Sequence, residues 1–307
     1  MGAAAGWALA RDGHGVTVYE QFDDVEHPFG SSHGRTRIVR LAYTEPHWVE
    51  QAREALALWL ELERETGETL LELGGLLECV ESHELGAGAA LDAVGVEWEL
   101  VEPSRFGVSV PDGWEVLLQP EAGTIRADTA RRAFLRGLDV RTGVRLDRLS
   151  ELDADAVVVA AGPWSPALLR AEGIELPVRT TRETVVYFEH ELQVSAVVDR
   201  YEGGHLMYAL RDPVHGTKAG AHMAGTDATP DEPGAADPAI VDRVSRWVEE
   251  RLSAAPRPVA TDTCWYTTTP DEEFVLERNG RLVIASACSG HGFKFAPLVG
   301  KRIAAIL

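Results

Sequence analysis

The spacing of apolar and polar positions changes several times along the 307 residues, and each change marks an element. Residues 2–11 (GAAAGWALAR) predict a helix, with Gly13 as its stop. Val16-Thr17-Val18-Tyr19 then reads as a short buried strand ending at Glu20. Pro46 to Glu65 carries the spacing of a long amphipathic helix, and Gly74 to Val80 reads as a strand. Residues 81–118 alternate short helical and extended pieces, and Asp128 to Gly137 is helical. Ala156 to Ala161 (AVVVAA) is a continuous apolar run, the pattern of a central parallel strand covered on both faces. Gly162-Pro163-Trp164 ends that run, and Ser165-Pro166 opens the next helix.

From about Pro177 to Thr269 the spacing shortens, and ETVVYFE, HLMYAL and GTKAGAHM predict a mixed or antiparallel sheet. Asp227 to Pro238 is a polar loop and Ala239 to Leu252 a helix. Arg281 to Ala287 returns as a strand, followed by a glycine-rich turn and a last helix to Leu307. The alternation predicts an α/β chain, α+β overall, in two interleaved domains. A nucleotide-binding α/β fold places a strand and a Gly-rich turn before its first helix. Here Gly2 falls where the third glycine of GxGxxG would, and Glu20, an acid ending the second strand, is the candidate ribose acceptor. A true start upstream of Met1 is the expected cause.

Composition, 45% hydrophobic and 25% charged, is that of a globular enzyme. A net charge of −20 opposes binding to nucleic acid or anionic membranes. Three cysteines at scattered spacing suit a reducing compartment, and no CxxC or HExxH predicts a metal. Without a spanning apolar stretch or signal peptide, a cytoplasmic enzyme is expected. Of the 29 Lys+Arg only three are lysines: Lys218, Lys294 and Lys301. Lys294 lies between two aromatic rings in SGHGFKF (289–295), an incompletely hydrated ammonium suited to an anion. Residues 30–40 (GSSHGRTRIVR) are strongly basic in an acidic chain.

Five segments in order resemble the monomeric sarcosine oxidase and N-methyltryptophan oxidase family, flavoprotein amine oxidases of the D-amino-acid-oxidase superfamily. They are GSSHGRTRIVRLAY (30–43), AAGPWSPALL (160–169), GTKAGAH (216–222), CWYTTTPDEEFVLE (264–277) and SGHGFKF (289–295). AAGPWS alone is a superfamily sign, whereas the segment after Cys264 together with SGHGFKF is far more specific. The resemblance implies a Rossmann-like FAD-binding domain lacking its first strand, from residues 1–73, 119–176 and 272–307. A mixed-sheet substrate domain would take residues 74–118 and 177–271. It also implies a monomer that oxidises a small secondary amine with O2, giving an imine and hydrogen peroxide. Arg35 departs from the family, which usually has an acid there, and Cys288 takes a position usually aromatic. The stretch from Gly137 to Asp155 is shorter than the usual crossover.

Residue by residue, Cys264 matches the family's thioether link to the flavin, against the ordinary fate of a lone buried cysteine, which Cys79 and Cys288 keep. Lys218 matches the lysine that activates oxygen, and Arg37, His222, Tyr266 and His291 match catalytic surroundings. Arg40 and Lys294 match the pair that holds the substrate carboxylate, with Tyr208 and Thr36 beside it. Gly2, Glu20, Ser32, His33, Gly162, Trp164, Gly290, Gly292 and Phe293 complete the expected cofactor contacts. Each alone has a bland alternative: a surface ion pair, a capping histidine, a core tyrosine. Three rival readings are a silent or fragmentary homologue without its dinucleotide turn, a start-site error, and a quinone-linked dehydrogenase. Lys218 speaks against the last.

Overall fold

The computed structural model describes residues 1–201, 205–232, 234–252, 257–286 and 289–307, so Cys288 lies outside the described residues. In chain order come α1 (Gly2–Arg11), β1 (Thr17–Tyr19), β2 (Thr36–Val39), α2 (Pro46–Thr66), β3 (Leu71–Glu72), β4 (Leu76–Glu81), α3 (Gly86–Val94) and β5 (Glu99–Leu100). There follow β6 (Trp114–Gln119), β7 (Gly123–Arg126), α4 (Ala127–Leu135), β8 (Asp139–Arg141), β9 (Val157–Val159) and α5 (Ser165–Ala171). The last part holds β10 (Arg179–Glu189), β11 (Ala196–Asp199), β12 (Met207–Asp212), β13 (Gly216–Ala221), β14 (Thr226–Asp227), α6 (Pro238–Leu252), β15 (Pro258–Thr268), β16 (Val275–Asn279), β17 (Leu282–Ser286) and α7 (Ala296–Ile306).

Small residues let the helices close together. A Cβ on Gly6 would sit 2.8 Å from Leu138 Cδ1 and 3.3 Å from Val18 Cγ2, so Gly6 lets α1 rest on β1. A Cβ on Gly2 would lie 3.6 Å from Ala160, an ordinary contact, so Gly2 is not the tight packing point. α2 has Pro in its first turn and ends at Gly67 in the left-handed region. Trp59 and Leu62 of α2 join α1, α4 and α7 in one core.

Among the described residues, the largest sheet has nine strands in the order β14-β10-β13-β12-β11-β4-β6-β5, with β15 also on β10. It is antiparallel except for the parallel β11/β4 pair, the mixed sheet expected. α6 covers its back through Val244, Trp247 and Val248. Asp199 Oδ2 fastens that helix, accepting from Trp247 Nε1 at 2.7 Å and Arg251 Nε at 2.9 Å.

Two small sheets among the described residues hold the other parallel pairs, β1/β8 and β9/β17, with β16 antiparallel on β17. The AVVVAA run is therefore not a central strand among the described residues: β9 has β17 as its neighbour, and Val157 and Val158 are half-buried. Residues of β9 and β1 line one cavity, and an apolar run reads alike whether its second edge meets a strand or such a space. No described helix is long and apolar enough to cross a membrane.

Candidate active site

Strand register gathers the chemistry on one face of the large sheet. Tyr208 lies opposite Val198 and Gly220; Lys218 lies opposite Leu210 and Tyr187. Val185 is paired with Asp262 and Glu183 with Cys264. Directly paired residues and those two apart share a face. That face meets the 30–37 loop, the 289–295 turn and the start of α1 around a cavity of about 1450 Å³. All the expected positions line it: Gly2, Glu20, Ser32, His33, Thr36, Arg37, Arg40, Gly162, Trp164, Tyr208, Lys218, His222, Cys264, Tyr266, Gly290, His291, Gly292, Phe293 and Lys294.

Glycines make room for the larger lining groups. Gly290 has φ +71°, and a Cβ there would lie 2.4 Å from both His222 Cε1 and Tyr266 Cε2. A Cβ on Gly220 would meet Tyr208 Oη at 2.4 Å, so the phenol lies over the glycine of the facing strand. Gly34, at φ +84°, brings the 30–37 loop against Lys218 Nζ.

The cations divide into two groups. Lys218 is 6% exposed and its Nζ donates to Thr36 O at 3.3 Å. Burial, then the Arg37 guanidinium, push its pKa down to about 7. Arg37 spends its donors on Thr36 O, Ser31 O and His33 O, and so folds the loop upon itself. Lys294 Nζ donates to Tyr43 Oη and to His291 O, each at 3.0 Å. Burial, then Arg40, hold Lys294 well below the ordinary lysine range. Arg40 lies over the Tyr43 ring, 3.7 Å from Glu78 Oε1.

Burial pushes His222 down to about 4 and His291 to about 3, with Arg40 and Lys294 adding to both. Neutral His291 then accepts from Tyr43 Oη through Nδ1 at 3.5 Å while its Nε2 faces Glu272 O at 3.4 Å. His222 Nδ1 is 3.4 Å from Tyr266 Oη, and burial raises the Tyr208 phenol. At the other end Glu20 accepts from Phe22 N–H at 3.0 Å and faces His27 Nε2 at 3.5 Å. Burial would raise its pKa, but the His27 and backbone contacts hold it below the ordinary value. Trp164 Nε1 donates to Asp231 at 2.8 Å.

Several contributors were given no site role by the sequence motifs. Tyr43 links Lys294 to His291, and buried Glu78 faces both Arg40 and Arg200. Arg35 makes a two-point pair with buried Asp212, at 2.9 and 3.1 Å, which explains a base at that position. Arg131 also lines the cavity. Period-two alternation along β4 was the one signal that could have placed Glu78 on the site face.

Residues 1–306 match the FAD dependent oxidoreductase family. The chain is 32% identical to human peroxisomal sarcosine oxidase, across 98% of this chain and 88% of that one. It is 29% identical to monomeric sarcosine oxidase of Bacillus sp. (strain NS-129), across 99% and 89%. The open form of NikD, described as an unusual amino acid oxidase essential for nikkomycin biosynthesis, superposes with TM-score 0.84 at 26% identity, over 99% of this chain and 90% of that one. An L-proline dehydrogenase from P. horikoshii shares the fold at TM-score 0.83 and 19% identity, covering 99% and 89%. A mixed-sheet wall, a cation-lined cavity and end-to-end similarity to sarcosine oxidases lead to one conclusion: the chain belongs to the FAD dependent oxidoreductase family.

Proposed function

We propose that the protein oxidises a secondary amine of the N-methyl amino acid class to an imine, with O2 reduced to hydrogen peroxide. The observation that carries this is the convergence of Arg40, Lys294 and Lys218 on one cavity that Cys264 also lines. FAD held there would supply a two-electron acceptor for the amine and a route for those electrons to O2. The lining fits such a group. Ser31 Oγ, Thr36 Oγ1 and Arg131 Nε are buried without a hydrogen-bond partner, ready donors for ribityl and phosphate oxygens. Gly2, Ser32, His33, Gly162, Trp164, Gly290, Gly292 and Phe293 would add its remaining walls, and Cys264 would attach it through a thioether. Glu20 would take the ribose hydroxyls in exchange for its His27 contact.

Arg40 Nη1 is buried without a hydrogen-bond partner, so its donors are available to a carboxylate. Burial and Arg40 lower the proton affinity of Lys294, and a carboxylate beside it would raise that affinity again. Each such charge-assisted bond contributes about 1.5–3 kcal/mol. A secondary amine has a pKa near 10.4, so neutralising it at pH 7 costs roughly 4–5 kcal/mol in water. Arg37, Arg40, Lys218 and Lys294 lower that cost by like-charge repulsion. Tyr208, Tyr266, His222 and His291 form the polar and aromatic wall around the amine and exclude water. Lys218, cationic when the cavity holds negative charge, stabilises the superoxide charge that develops on O2. The domain division at 1–73, 119–176 and 272–307 against 74–118 and 177–271, a monomeric state and a cytoplasmic location belong to the same proposal.

The test is peroxide release from a panel of N-methyl and cyclic secondary amino acids, each beside its carboxamide. Turnover of at least one acid, with its carboxamide about 10-fold or more weaker, is expected. Equal turnover of acid and amide, or no peroxide from a flavin-loaded protein, would contradict the proposal.

A further inference from the structure

His33 lies at the start of the basic loop and is 7% exposed. Its Nδ1 is 2.6 Å from Gly30 O, and its Nε2 is 3.0 Å from Asp262 Oδ2. A backbone carbonyl accepts and cannot donate, and a carboxylate likewise. A neutral imidazole has one N–H, so in that form one of the two contacts would set lone pair against lone pair. The remaining alternative, a protonated Asp262 donating to the ring, is opposed by Thr263 N–H, which donates to Asp262 Oδ1 at 2.8 Å. Burial alone would raise the Asp262 pKa, but the His33 hydrogen bond, its charge, the Thr263 N–H and Lys218 together hold it below the ordinary carboxyl value.

We infer that Asp262 is a positioning residue that keeps His33 doubly protonated against the cavity. The ion pair joins the 30–37 loop to β15, two residues before Cys264. The other charged or titratable groups around it are Arg37, whose Nη2 donates to His33 O at 2.6 Å, Lys218, Tyr187 and the Arg35–Asp212 pair. Asp262 therefore balances a cluster of positive charge, and it raises the proton affinity of Lys218 as well. The consequence for oxidation rests on the proposed function, because it places a fixed imidazolium beside the cofactor. The protonation itself needs neither flavin nor substrate, so its failure and the failure of the oxidase reading are separable.

The test is long-range ¹H–¹⁵N correlation on the full chain labelled with ¹⁵N-histidine, His33 being assigned by the loss of its signals in His33→Asn. At pH 8 the native protein should show both His33 nitrogens protonated. Asp262→Asn should leave a proton on Nδ1 alone, because the amide can turn to donate to Nε2. Asp262→Glu should restore the second proton, which a merely structural loss of packing would not do. An unprotonated Nε2 in the native protein, or two protons retained in Asp262→Asn, overturns the inference.

Discussion

Lys218 shows at the scale of one residue how stability is given up at the cavity. Its ammonium is buried and held near pKa 7, against an ordinary value of 10.5. The folded chain therefore holds fewer protons than the unfolded chain between those values, and stability gains with rising pH across that window. The destabilisation is complete below pH 7 and gone above 10.5. Lys218→Met should raise Tm by about 2 °C or more near neutral pH, with the gain shrinking toward pH 10.5. The same variant should slow flavin reoxidation by O2 at least about 100-fold. Calorimetry and stopped-flow reoxidation check the two halves, and a variant that is neither stabler nor slower counts against the role given to Lys218. Rarity made this lysine conspicuous in an arginine-rich chain. Glu78 and Asp262 were not conspicuous, because an isolated acid carries no sign of the basic side chain it meets 38 or 229 residues away.

Elements set the next scale, and there the strand pairings did the gathering. β10, β12, β13 and β15 each send alternate residues to the same face, so Cys264, Tyr208 and Lys218 share a wall without being neighbours in sequence. The sequence periods foretold β10, β12, β13, α1, α2 and α6 closely, whereas β15 was not singled out. They missed the edge position of β9, because AVVVAA reports apolar surroundings and not what lies along each edge. Gly6, where a Cβ would meet Leu138 and Val18, was given no role by the motif spacing, because a Cβ clash requires the partner strand. Gly290 is the element-scale test. Gly290→Ala demands a strained φ and overlaps His222 and Tyr266, so we expect kcat/KM to fall at least about 10-fold with about 1–3 kcal/mol of stability lost. Steady-state kinetics with urea denaturation checks this, and unchanged values would mean that the turn moves freely.

Over the whole molecule, a chain of net charge −20 concentrates Arg37, Arg40, Lys218 and Lys294 from distant segments around one space. Like-charge repulsion there lowers the pKa of a bound amine, and the neutral amine alone has the lone pair that assists oxidation. The rate of flavin reduction should accordingly rise with pH across neutrality, and a flat profile from pH 6 to 10 would contradict the electrostatic role. Covalent attachment is checked by acid precipitation: yellow colour should stay with the native pellet and leave it in Cys264→Ala. The most direct measurement is anaerobic mixing of the flavin-loaded protein with an N-methyl amino acid while flavin absorbance is followed. Bleaching that saturates in the native protein, and needs roughly 10- to 100-fold more substrate in Arg40→Met and in Lys294→Met, is the predicted result. Bleaching indifferent to both substitutions, or none with any secondary amino acid, would contradict a carboxylate clamp facing a flavin.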